Sequence, residues 1–233
     1  MTLIQTKPSL AQQVYEAIAD EIYNGVLQAG AHLVQEQLAE RFGVSRQPVQ
    51  QAMALLKADG MVMEIGRRGL QVIPLDLDLM RHHYEIRAVL DGLAARLAAQ
   101  RARTDDAVAS FFDERGRQII REGRAVGSGG AVGDQVRHDL TFHQLIYKGS
   151  GNPLVSDTVE PHWRFLRRAM GEVLRHAELP HEIWRQHEDI LERIVAGDPV
   201  QAEALSIDHA LRAAETLQAA LAGQTGGAAS EKS

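Results

Sequence analysis

The stretch Glu36–Val62, EQLAERFGVSRQPVQQAMALLKADGMV, decides how the first third of the chain folds. Gly43 separates two apolar-periodic runs, and glycine suits the left-handed position that closes a helix. Ser45 is placed to cap the second run. Pro48 falls within its first turn, where the missing N–H costs nothing. Leu38, Ala39, Phe42, Val44, Val49, Met53 and Leu56 are spaced to pack the two runs together. A short helix, a tight turn and a second helix is the helix-turn-helix layout, whose second helix can enter the major groove of DNA. Ser45, Arg46, Gln47 and Gln50 are then left at its exposed start. Arginine suits guanine or phosphate, glutamine suits adenine, and a serine hydroxyl suits phosphate.

Working outward, Ser9 predicts the cap of a helix carrying Val14, Ile18, Ile22 and Tyr23 at helical spacing, and His32–Val34 reads as a brief extended piece. Met61–Ile65 and Leu70–Pro74 flank Gly66–Gly69, which predicts a hairpin. Its tip, Arg67 and Arg68, would act as a wing reaching phosphates or a minor groove. Net charge over all 233 residues is −6, which taken alone speaks against nucleic acid. Residues 41–68, however, hold five basic side chains against Asp59 and Glu64, a local +3.

With no cysteine, disulfides, iron–sulfur clusters, thiolate zinc sites and cysteine nucleophiles are excluded. Any metal must therefore sit among nitrogen and oxygen ligands. No apolar run approaches the ~18–20 residues that a membrane span needs. Pro8, Glu16 and Asp20 break any signal-peptide pattern, so a cytoplasmic protein is expected.

The rest of the chain predicts helices near 76–102, 104–122, 132–149, 153–176, 181–196 and 199–222, punctuated by Asn152–Pro153, Leu179–Pro180 and Gly197–Pro199. The expected fold is mainly α. A winged helix-turn-helix over 1–75 precedes an all-helical antiparallel bundle over 76–222, and 223–233 reads as a disordered tail. Asp139 and His143 stand four apart, on one helix face, where both can grip one metal ion. His187 lies beside Ile190, Leu191 and Ile194, and His209 near Leu205 and Leu217, so both point toward a core. Buried imidazoles need partners, which either core hydrogen bonds or metal ligation can supply. Arg87 lies among Ile86, Leu90, Leu93 and Leu97, with Glu85 and Asp91 within reach of an ion pair.

GVSRQPVQQAMALLKADGMV (43–62) and GRRGLQVIPL (66–75) resemble the winged helix-turn-helix of the GntR family of bacterial transcription regulators, over about residues 9–74. Two positions depart from it. Gln50 stands where the family usually has the arginine of VREAL, and Glu36 where relatives often carry arginine. The second half is similar to the FadR-type C-terminal (FCD) ligand-binding domain over about 78–220. Its metal-binding members carry an Asp-x3-His pair, then one histidine on each of two later helices. Asp139, His143, His187 and His209 fill that pattern.

The resemblance implies a divalent cation (Zn, Ni, Mn or Fe) with positions open to water or an effector carboxylate, and an Arg87 that faces the cavity and pairs with that carboxylate. It implies a homodimeric, ligand-responsive regulator rather than an enzyme, a repressor or else an activator, on a pseudo-palindromic operator in double-stranded DNA. A metal-sensing regulator and a metal-dependent hydrolase are the rival readings.

Overall fold

The Ser9 side chain accepts a hydrogen bond from the Gln12 amide at 3.1 Å and so starts α1, Leu10–Tyr23. The computed structural model describes residues 8–66, 69–127, 130–174 and 181–230. The chain divides into two units, Met1–Asp76 and Leu77–Ser233.

In the first unit α1 is followed by β1 (His32–Val34), α2 (Gln35–Phe42), α3 (Arg46–Ala58), β2 (Val62–Ile65) and β3 (Gly69–Val72). Gly43 closes α2 at φ 62°, the left-handed conformation that strains any residue with a Cβ. The strands form an antiparallel sheet in the order β1-β3-β2, with Leu70 of β3 opposite Leu33 on one side and Glu64 on the other. Alternation turns Leu70 and Val72 inward, onto a core of Ile18, Leu33, Val49 and Leu56. Ser45 takes the N-cap backbone position of α3, but its side chain makes no capping hydrogen bond. The predicted wing tip, Arg67 and Arg68, lies outside the described residues.

The second unit is helical throughout its described residues: α4 (Leu77–Thr104), α5 (Asp106–Val126), α6 (Val132–Gly149), α7 (Pro153–Leu174), α8 (His181–Val195) and α9 (Pro199–Ser230). The most extensive packing is that of α4 on α9. Small residues permit it. An added Cβ on Gly92 would come 2.7 Å from Ile207 Cγ1, and Ala94, Ala95, Ala98 and Ala99 are fully buried. Composition predicts a disordered tail from 223, yet the α9 backbone remains helical to Ser230. Extending an existing helix escapes the nucleation cost that a separate segment would meet. Residues 231–233 lie outside the described residues.

At Gly123 of α5 the buried Trp184 of α8 packs directly onto the helix backbone, since a Cβ there would lie 2.0 Å from its Cη2. Gly123→Ala is expected to cost about 1–3 kcal/mol by overpacking, despite alanine's better helix propensity. Thermal unfolding checks it; an unchanged or raised midpoint would show that Trp184 yields freely.

Candidate functional site

The residues expected to meet DNA in the first unit gather at the N-terminus of α3. Ser45, Arg46, Gln47 and Gln50 are all exposed there, while Val49, Ala52 and Met53 turn inward. From its N-cap into its second turn, α3 carries one guanidinium, two amides and a hydroxyl into solvent, which offers hydrogen-bonding groups for both base edges and phosphates.

In the second unit, helical periodicity aligns two of the predicted ligands and the packing of α6, α8 and α9 brings all four to one interior point. Asp139 and His143 occupy successive turns of α6, His187 comes from α8 and His209 from α9. All four are buried, and one donor atom from each lies within 4.8 Å of the others. His187 Nε2 is 3.2 Å from His209 Nε2 and 3.4 Å from Asp139 Oδ1. Donors about 2.1 Å from a single ion stand roughly 3.0–3.4 Å apart at right-angled or tetrahedral positions, so these spacings suit neighbouring ligands.

Burial holds the imidazoles neutral. It lowers His143 and His187 well below the usual histidine range and His209 to about 3, with the Arg87 charge adding to each shift. Burial also pushes the Asp139 carboxyl up to about 6, against the pull of Arg87. Neutral nitrogens are the form that binds metal. Gln186 Oε1 lies 2.8 Å from His209 Nδ1, so a proton on Nδ1 leaves Nε2 as the free lone pair. His187 Nδ1 is buried without a hydrogen-bond partner, and Phe142 stacks on its ring at 4.2 Å.

Arg87 is 1% exposed and makes the ion pair with Asp91, Nε to Oδ2 at 3.1 Å, rather than with Glu85. Glu85 pairs with Arg81 instead. The other end of the guanidinium donates to His143 Nε2 at 2.8 Å, and its carbon lies 3.9 Å from the centre of the Trp163 ring. The Tyr147 hydroxyl donates to Asp91 Oδ1 and accepts from Trp163 Nε1 at 2.8 Å. Arg87 therefore abuts the four-residue cluster through His143. Sequence reading missed Tyr147 and Gln186. Tyr147 falls four residues after His143 on the same face, a signal available but ambiguous with core packing; Gln186 had none.

Comparison with known proteins settles the class. An FCD domain model matches residues 82–212, and a model described as bacterial regulatory proteins, gntR family, matches residues 10–72. The chain belongs to the GntR family. This GntR-family chain is 29% identical over 148 residues to the uncharacterized HTH-type transcriptional regulator YdhC of Bacillus subtilis (strain 168), and spans 64% of that protein's length as of its own. It is 25% identical over 207 residues to the HTH-type transcriptional repressor RspR of Escherichia coli (strain K12), covering 89% of this chain and 88% of that one. Among solved structures, E. coli McbR/YncC shares the fold with a TM-score of 0.70 at 20% identity, over 90% of this chain and 97% of that chain. The protein is thus a DNA-binding transcriptional regulator with a winged helix-turn-helix and an FCD domain. No helix among the described residues is long and apolar enough to cross a membrane.

Proposed function

We propose that this GntR-family regulator is a repressor whose FCD domain takes a divalent cation and a small organic acid, and that the acid changes its grip on operator DNA. One observation carries the reading: four buried donors within 4.8 Å of one another, beside a buried arginine. A core built only for stability has little use for three neutral imidazoles, one carboxylate and a guanidinium gathered together, because each loses solvation there.

Asp139, His143, His187 and His209 would hold the cation, an N₃O set acceptable to Zn, Ni, Mn or Fe. When bound, it supplies a Lewis-acidic centre able to accept a carboxylate oxygen. The protein's own groups do the rest. Gln186 orients His209, Asp91 and Tyr147 fix Arg87, and the planar guanidinium offers paired N–H donors to an acid. Trp163 and Phe142 wall the site and exclude water. The acid shifts the regulator between DNA-binding and DNA-releasing states only by its different affinity for the two. Ser45, Arg46, Gln47 and Gln50, with Arg67 and Arg68 of the wing, are the proposed DNA contacts of each protomer of a homodimer on a pseudo-palindromic site.

A thermal-shift screen of small carboxylates, with and without chelator, tests this. At a concentration about 100-fold above Kd, a bound acid adds about 2.7 kcal/mol of apparent stability. The expected hit stabilises only without chelator and releases a selected operator duplex. Operator binding that follows cation concentration with no acid present would replace this reading with a metal sensor. Turnover of the acid would replace it with a hydrolase.

A further inference from the structure

Each of the three described cations of the first unit is matched to a glutamate: Arg41 to Glu21 at 2.8 Å, Arg46 to Glu36 at 2.8 Å, and Lys57 to Glu64 at 2.6 Å. The Arg46 pair differs from the others in its place. Arg46 opens α3 and Glu36 stands in the first turn of α2, so the pair links the starts of both helices of the motif. Gln35, the preceding residue, donates through Nε2 to the Arg46 carbonyl at 2.9 Å. Two consecutive residues thus hold Arg46 by backbone and by side chain. Both charged groups are largely open to solvent, at 68% and 63% exposure. A solvated pair of this kind contributes little to stability. What it fixes is the direction of a guanidinium and the position of a negative charge on the DNA-facing side.

We infer that Glu36 and Arg46 act together as a specificity determinant that reads one G·C pair in each operator half-site. This rests on α3 being the helix that faces DNA. In the major groove guanine offers two adjacent acceptors, O6 and N7, and its partner cytosine offers the N4 amino donor. A guanidinium donates to the first and a carboxylate accepts from the second, so an Arg–Glu pair is complementary to the whole base pair. An A·T pair presents its acceptors singly and does not satisfy the guanidinium's fork. A phosphate is a worse partner still, because it would take Arg46 while setting its own charge beside the Glu36 carboxylate. Glu36 accordingly contacts cytosine itself, positions Arg46 beside it, and filters against sequence-independent binding.

The test is selection of binding sites from a random duplex library by the full-length protein and by Glu36→Gln. Affinity for a random 30-base-pair duplex is measured in parallel across a salt series. Glu40→Gln, which removes an equal charge from the exposed far end of α2, is the control. Wild type should enrich a fixed G·C pair in each half-site. Glu36→Gln should relax that position, raise affinity for the random duplex about fivefold, and steepen the salt dependence by about one phosphate equivalent, with Glu40→Gln near wild type on all three. The inference is overturned if Glu36→Gln selects the wild-type sequence with an unchanged salt slope, or if Glu40→Gln matches it. A wild type that selects no sequence would instead overturn the placement of α3 on DNA. Because both side chains are exposed, an unchanged unfolding midpoint is expected in each variant.

Discussion

Zinc added to chelator-stripped protein should raise the unfolding temperature of the helical unit by about 5–10 °C, and His187→Ala should abolish that rise. The size follows from mass action. A cation about 100-fold above its Kd adds about 2.7 kcal/mol, and a unit of this size moves about 2–4 °C per kcal/mol. His187 is the informative ligand to remove, because it is fully buried and its Nε2 faces both His209 Nε2 and Asp139 Oδ1. Loss of a supporting residue alone typically weakens metal binding about 10–100-fold. Loss of a direct ligand should exceed that and remove most of the shift at the same zinc concentration. The variant's own stability in chelator will change too, since the truncation leaves a cavity beside Phe142 and Trp184. The decisive quantity is therefore the metal-induced difference within each protein. An equal shift in wild type and His187→Ala would place the ion elsewhere and remove the metal from the proposed function.

The winged unit was legible because its signals are local. Ser9 and Gly43 each act on their own helix terminus, Ser45 and Pro48 fall at the backbone positions that suit them at the start of α3, and alternation in β3 needs only a sheet to face. Asp139 and His143 were legible for the same reason, as neighbours on one face. That His187 and His209 join them depends on how α8 and α9 pack, which helical periodicity does not encode; resemblance to a known pattern supplied it. The surroundings of Arg87 show the limit. Residue spacing offered Glu85 and Asp91 equally, and only the burial of Asp91, with the Tyr147 hydroxyl donating to it from α6 and Trp163 of α7 donating in turn to that hydroxyl, separates them. The helical continuation to Ser230 was missed because composition reports the cost of starting a helix, not of extending one.

Asp91→Ala should be the most damaging single change in the helical unit, costing about 3–5 kcal/mol and lowering its midpoint by about 6–20 °C. Asp91 is 3% exposed and Arg87 1%. Burial raises the Asp91 carboxyl above its usual range, opposed by Arg87 and by the Tyr147 hydroxyl, so these partners sustain its charge. Removing the carboxylate leaves a guanidinium in the core with His143 and the rings of Trp163 and Tyr84 against it. It also strips the Tyr147 hydroxyl of its acceptor. The cost is thus that of an uncompensated charge, not the net worth of the pair. The double variant Arg87→Met/Asp91→Ala separates the two, because both charges then disappear and an apolar side chain fills the space. It should recover at least about half of the loss, giving a coupling energy on the order of 2 kcal/mol in a double-mutant cycle. Recovery of fold without recovery of carboxylate binding would assign the buried pair to effector recognition. A double variant that merely adds the two single losses would mean Arg87 and Asp91 do not depend on one another, and that Trp163, Tyr84 and His143 hold Arg87 toward the histidine cluster without Asp91.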